Sequence, residues 1–316
     1  TGHARAVRSA ARDAGRVSDP RTTPFNGRVA HVSLKGHLEA ERFVTGKTVQ
    51  VSLGVAALYR DPGGAMDREL LFGEGFCVLD YAKSDDAAYV YGFALRDGYC
   101  GYLHGGAIVE PQTPTHVVTV RETYAKATPD LKVADVLTPL FFGALVTSEG
   151  VDGAWSRTRR RTSAIDPDAW SHAYLPTAHL RPINAPETDP VDVARRFLGT
   201  PYLWGGNSGR GIDRSGLVQA AMHACGWMCP GDSDLQEAMA GRDLVESDPF
   251  EPGDLIFWNG HVAMATGTDT MIHANAHHMM VVEEPIAPAI ARIAATETGK
   301  VTRRLRPERR PWVAPV

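Results

Sequence analysis

The chain has 316 residues, of which 43% are hydrophobic and 22% charged, with a formal net charge of −4. That length implies two or three compact units that each bury a core, and the composition excludes a largely disordered chain. The small net charge gives no electrostatic support for a nucleic-acid partner, and no segment reaches the about eighteen uninterrupted apolar residues of a membrane span.

The N-terminal stretch, Thr1 to Pro24, is rich in Arg and Ala but lacks the apolar core of a secretory signal. Residues 1 to about 26 read as an arm, poorly ordered or ordered only by docking, and the expected location is the cytoplasm. Short β-branched and aromatic runs follow at Thr48 to Leu53, Phe76 to Tyr81, Ala88 to Leu95 and Tyr99 to Leu103, which predict strands of a small barrel. The pattern then repeats. Phe72-Gly73 is echoed by Phe142-Gly143, and Tyr102-Leu103 with Ile108 by Tyr174-Leu175 with Leu180, the latter at a constant offset of 72 positions. Two tandem all-β modules are expected, over residues 45–112 and 113–183, behind an arm and lead-in at 1–44.

Pro182, Pro186 and Pro190 mark a linker, after which residues 188–316 form a separate domain. Thr188 or Asp189 can cap a helix with Pro190 in its first turn, an apolar stripe of Val191, Ala194 and Leu198, and Gly199 at its end. A second helix carries Leu217, Val218, Ala221, Met222 and Cys225, with Gly226 placed to stop it in a left-handed turn. His261 to Thr266 and Thr270 to Asn275 predict a hairpin. A three-residue turn over Gly267 to Asp269 sets Ala263 opposite His273, so that His261 and His273 share one face. Two basic runs, Arg157 with Arg159 to Arg161 and Arg303 to Arg310, read as solvated surface.

The four cysteines, Cys77, Cys100, Cys225 and Cys229, are too few for a disulfide scaffold. Cys225 and Cys229 have no histidine pair at a zinc finger's separation of about twelve residues. His273, His277 and His278 cluster without a Cys or carboxylate in their segment, so no metal is expected, and no other cofactor is implied. Gly205-Gly206 lacks the Gly-Lys-Ser/Thr of a phosphate loop and reads as a turn beside a cleft. Tyr202 and Trp204 fit either a core or a cleft wall. Asp213, and Asp232 or Ser233, stand where helix caps belong.

A cysteine hydrolase needs a thiolate at a helix N-terminus, an imidazole to shuttle its proton and a polar group to orient that imidazole. Gly211 to Gly216 leads into the second helix, and the hairpin supplies two imidazoles. Five ordered segments then resemble the NlpC/P60 family of cell-wall peptidases: Gly199-Thr200-Pro201-Tyr202-Leu203-Trp204-Gly205-Gly206, Asp213 to Gln219, Pro252-Gly253-Asp254-Leu255, His261-Val262 and Met271-Ile272-His273-Ala274. The family's Asp-Cys-Ser-Gly stands here as Asp213-Arg214-Ser215-Gly216, with Arg214 at the nucleophile position.

The resemblance implies an α+β, papain-like domain preceded by two small SH3-like β-barrels, as in the γ-D-glutamyl-L-diamino acid endopeptidases of the dipeptidyl-peptidase VI type. It assigns His261 as general base, His273 as its orienting partner and Tyr202 as a substrate and oxyanion-side group. It further implies that Asp213, Ser215, Asp232 and Ser233, with Glu74 and Tyr99 from the first module, recognise a murein peptide bearing a free N-terminal L-Ala. A guanidinium carries permanent charge and has no lone pair suited to acyl transfer, so this sequence is expected to be inactive. A non-catalytic murein-peptide binder or regulator is the alternative. Ser215 lies about 100° round the helix from position 214, and Cys225 belongs to the buried stripe, so neither is expected to replace the thiolate.

Overall fold

The computed structural model describes residues 19–161 and 170–311. Most of the expected arm, residues 1–18, lies outside the described residues. From Asp19 onward the arm is docked, with the Arg21 carbonyl accepting the Cys100 N–H at 2.8 Å. A parallel pair, β1 (Val29–His31) and β2 (Arg42–Val44), completes the lead-in.

The first module comprises β3 (Lys47–Val51), β4 (Val55–Tyr59), β5 (Met66–Leu71), β6 (Gly75–Ser84), β7 (Ala87–Ala94), β8 (Cys100–His104) and β9 (Ile108–Val109). The second comprises β10 (His116–Val118), β11 (Glu122–Lys126), β12 (Val136–Phe141), β13 (Leu145–Asp152), β14 (Trp155–Arg161), β15 (Trp170–Pro176) and β16 (Leu180–Pro182). Their sheets run β5-β4-β8-β7-β6-β3-β9 and β12-β11-β15-β14-β13-β10-β16, the same order position for position.

The sequence repeat is therefore a structural one. Leu103 and Leu175 occupy matching places in β8 and β15 and are buried in their respective cores. Gly73 and Gly143 follow β5 and β12 with φ of +83° and +90°, a backbone region that side chains resist. Strand β5 was not legible as a strand because Asp67, Arg68 and Glu69 interrupt its apolar residues. Arg68 and Glu69 are nevertheless buried, because this strand docks on the third domain.

In that domain α1 (Pro190–Arg195) is capped by Asp189, whose Oδ1 accepts the Val191 N–H at 2.8 Å. Leu198, expected in its apolar stripe, is 41% exposed, and Phe197 is fully buried instead. Helix α1 stops at Arg195, and the following turn carries Phe197 inward. After the short strands β17 (Asn207–Ser208) and β18 (Gly211–Ile212) comes α2 (Arg214–Ala224), ended by Gly226 at φ +73°. Then follow α3 (Ser233–Glu237), β19 (Gly241–Asp243), β20 (Leu255–Trp258), β21 (His261–Ala265), β22 (Thr270–Asn275), β23 (Met280–Pro285), α4 (Ile286–Ala294) and β24 (Arg303–Pro307). The sheet order is β19-β24-β20-β21-β22-β23. Leu217, Val218, Ala221 and Met222 of α2 share one core with Val262, Met264, Ile272 and Ala274 of the sheet.

Neither basic run is simply solvated. Arg159 and Arg161 stack on Trp170 at 3.6 and 4.2 Å, and Arg303 and Arg306 sit on β24 paired with Asp243 and Asp254. The domains press together at glycines: a Cβ on Gly205 would lie 2.5 Å from the Asp67 carbonyl, and one on Gly73 2.0 Å from that of Leu145. Among the described residues no helix is long and apolar enough to cross a membrane.

Candidate active site

Position 214 is the first residue of α2, and Asp213 is its N-cap. The Asp213 carboxylate accepts the Gly216 N–H at 2.6 Å and the Ser215 hydroxyl at 2.9 Å, and its second oxygen accepts the Gly205 N–H at 3.1 Å. This explains the spacing of the Trp204-Gly205-Gly206 turn and the Asp213 cap in sequence, and it ties Ser215 inside the protein. Arg214 lies between Tyr202, Trp204 and the start of the His261 strand. Its Nη1 donates to the Tyr202 hydroxyl at 2.7 Å, and its guanidinium carbon lies 4.6 Å from the centroid of Trp204, which is 63% exposed. A Cβ on Gly260, just before His261, would be 3.9 Å from its Nη2.

The hairpin register is the expected one. Met264 pairs with Ile272 and Ala265 with Met271, which leaves a three-residue turn and puts His261 and His273 on one face. His261 Nε2 lies 2.9 Å from His273 Nδ1, and His273 Nε2 lies 2.7 Å from Glu284 Oε1. Arg292 of α4 closes the series with both Nη atoms on Glu284, at 2.8 and 2.6 Å. Burial, then the charges of His273 and Arg214, push the His261 imidazolium well below the usual histidine range. Burial also lowers His273, against the opposing pull of Glu284. Burial alone would raise Glu284, but hydrogen bonds from His273 and Arg292 reverse this and hold it ionised.

Glu284 and Arg292 were missed in sequence. No motif marks Glu284. Only the β22–β23 pairing, with His273 opposite Val282 and Met271 opposite Glu284, sets it diagonally beside His273 on the same face. His273, His278 and Glu284 bring ligand atoms within 4.8 Å of one another, but Arg292 already places a cation on Glu284, and His273 is spent on His261 and Glu284. The geometry is that of a hydrogen-bonded relay. Cys225 and Cys229 are buried away from it, and burial pushes the Cys225 thiol up to about 11.

A second cluster surrounds Asp232. It is the N-cap residue of α3, where a cap was expected, but its side chain makes no cap bond and is turned to other partners. Its Oδ2 accepts the Tyr99 hydroxyl at 3.1 Å and Arg21 Nη1 at 2.6 Å, and its Oδ1 accepts Arg68 Nη1 at 3.2 Å. Arg68 Nη2 also donates to Asn207 Oδ1 and Gln219 Oε1, at 2.7 and 2.9 Å. Tyr99 of the first module thus reaches Asp232 of the third domain, and the adjoining Ser233 is buried. Glu74 does not join them. Its carboxylate accepts the Leu71 N–H and Arg96 Nη1, both at 2.8 Å, and it lines a cavity of about 440 Å³ with Gln219 and His223, at the junction of all three domains. The roles of Arg21 and Arg68 had no sequence signal, because their partners lie far along the chain.

This capped helix facing a histidine pair defines the class: residues 199–294 match the NlpC/P60 family, and residues 58–108 match the bacterial dipeptidyl-peptidase SH3 domain. The chain therefore carries an NlpC/P60 domain behind a bacterial SH3 domain.

Among individual proteins it is similar to dipeptidyl-peptidase 6 of Lysinibacillus sphaericus, 27% identical over 234 residues that cover 70% of this chain and 85% of the relative. It is 37% identical to the gamma-D-glutamyl-L-lysine dipeptidyl-peptidase of Bacillus subtilis over 94 residues, which cover 27% of this chain and 31% of the relative. A crystal structure of an NlpC/P60 family protein from Bacillus cereus shares the fold with a TM-score of 0.64 at 19% identity, covering 82% of this chain and 99% of that one.

Proposed function

We propose that this chain binds murein peptides of the L-Ala-γ-D-Glu-diamino acid type in a cleft that Arg214 makes non-hydrolytic. The carrying observation is the guanidinium at the first position of α2, hydrogen-bonded to Tyr202 and stacked beside Trp204, where a cysteine peptidase presents its thiolate. A hydrolytic cleft needs a group there that attacks the scissile carbonyl, with His261 taking its proton and returning it to the leaving amine. A guanidinium performs neither step. It can present its planar fork to a carboxylate, and a γ-linked glutamyl residue retains its α-carboxylate as one such group.

The relay of His261, His273 and Glu284 is assembled as a general base and its orienting groups, which favours descent from a hydrolase. His261 Nε2 is engaged by His273. The second seven-stranded sheet, read as another SH3-like barrel from its strand order, packs its Arg121 carbonyl onto Gly209 and so buttresses the turn leading to position 213.

The test compares this chain with Arg214→Cys on L-Ala-γ-D-Glu-L-Lys, following product release by mass spectrometry and binding by calorimetry. The cysteine form should release L-Ala-γ-D-Glu, while the arginine form binds the peptide and turns it over at least about 10⁴-fold more slowly. Hydrolysis by the arginine form at the rate of the cysteine form would sink the proposal.

A further inference from the structure

The Asp232 cluster, which the murein-peptide reading makes the N-terminal end of the cleft, is filled from within the chain. Arg21 lies in the segment that runs from Asp19 to the Phe25–Ala30 bridge, and its guanidinium is fully engaged. Nη1 donates to Asp232 Oδ2 at 2.6 Å and Asp234 Oδ1 at 2.9 Å, Nη2 to Asp234 Oδ2 at 2.6 Å and Asp19 Oδ2 at 2.7 Å, and Nε to Asp19 Oδ1 at 3.1 Å. With Arg68 on Oδ1 and the Tyr99 hydroxyl also on Oδ2, Asp232 has both carboxylate oxygens occupied.

The two guanidinium groups on Asp232 are not equivalent. Arg68 is 1% exposed and holds two further buried acceptors, Asn207 and Gln219, so it is part of the domain interface. The Arg21 side chain is 25% exposed and stands on a segment that is neither helix nor regular strand. It also has its own counter-ion: Asp19, two residues away, grips the same guanidinium and can leave with it. Withdrawing Arg21 therefore strands no positive charge, whereas withdrawing Arg68 would strand several buried acceptors.

We propose that Arg21 determines which ligands reach this end of the cleft: it occupies the cation position on Asp232 and Asp234, and a peptide with a free N-terminal ammonium must displace it to bind fully. This rests on the murein-peptide reading of the cleft. An ammonium group has one positive charge and three donors, enough to replace the bonds of Arg21 Nη1 to Asp232 and Asp234. An N-acylated peptide has no ammonium at its N-terminus to exchange, so Arg21 stays in place against it. The exchange is between partly exposed ion pairs, so it modulates affinity without abolishing it.

The test titrates the unaltered chain, Arg21→Ala and Arg21→Gln with L-Ala-γ-D-Glu-L-Lys and with its N-acetyl form, by calorimetry. Urea midpoints verify that each variant is folded. Both variants should bind the free-amine peptide about tenfold more tightly and the acetylated one unchanged. Equal or weaker binding of the free-amine peptide by both folded variants would overturn the role of Arg21 and leave the proposed function standing. No binding of either peptide by any of the three proteins would overturn the proposed function, and this exchange with it.

Discussion

Replacing Arg68 with alanine is a demanding test of how the first module is held to the third domain. The side chain is buried and donates to Asn207 and Gln219 at 2.7 and 2.9 Å and to Asp232 at 3.2 Å. The two bonds to neutral acceptors are charge-assisted, each contributing about 1.5–3 kcal/mol, and the pair with the partly exposed Asp232 adds about 0.5 kcal/mol. Some recovery is expected as water enters the gap, and an overall loss of about 4 kcal/mol agrees with the cost of breaking a buried pair by removing one partner. Arg68→Lys, which offers its charge at a single point, should lose about half of that. Urea unfolding followed by tryptophan fluorescence is well suited, because Trp204, Trp227 and Trp258 lie in the third domain and the first module contains no tryptophan. A loss below about 1 kcal/mol for Arg68→Ala would refute the claim that this side chain locks the interface.

Acid should weaken the fold in two stages. His223 is buried and lowered to about 4, and burial also holds His261 well below the ordinary 6.5, so below 6.5 the unfolded chain takes up protons that the folded chain refuses. The urea midpoint should therefore fall as pH drops from 6.5 toward 4. The depressed carboxylate of Glu284 contributes stability that is present above its ordinary 4.5 and lost as pH falls below it, so Glu284→Gln should flatten the acid limb there. A midpoint constant from pH 7 to 5 would contradict the burial assigned to these imidazoles. Gly73→Ala and Gly98→Ala form a contrasting pair, both at positive φ, with a Cβ 2.0 Å from the Leu145 carbonyl at the first and open space at the second. Gly98→Ala should cost about 1 kcal/mol and Gly73→Ala at least twice that by thermal denaturation, and equal losses would mean that the two modules are not in backbone contact.

Local signals carried well from sequence to structure. The Asp213 cap, the helix behind it and the Gly226 stop are contiguous features, and the three-residue turn fixed the parity that brings His261 to His273. What depended on distant contacts did not carry. Glu284 follows no pattern until β22 and β23 are paired, and Arg68 sits among charged residues that resemble a loop until the third domain covers them. Glu74 was placed by its neighbours Phe72-Gly73, yet the positive-φ turn at Gly73 folds its carboxylate back onto the Leu71 N–H. Leu198 and Phe197 differ by one position, and the early end of α1 decided which of them is covered.

The start of α2 owes its cap to Asp213 and its packing to Leu217 and Val218, so the side chain at 214 takes part in neither. The contacts of that side chain, with Tyr202 and Trp204, lie apart from the cap and from the helix packing, so a change at 214 leaves both of those in place. Cysteine and arginine codons can differ by one pyrimidine transition, so the residue at the head of this helix can be exchanged in a single mutational step while the cap and the core behind it stay as they are.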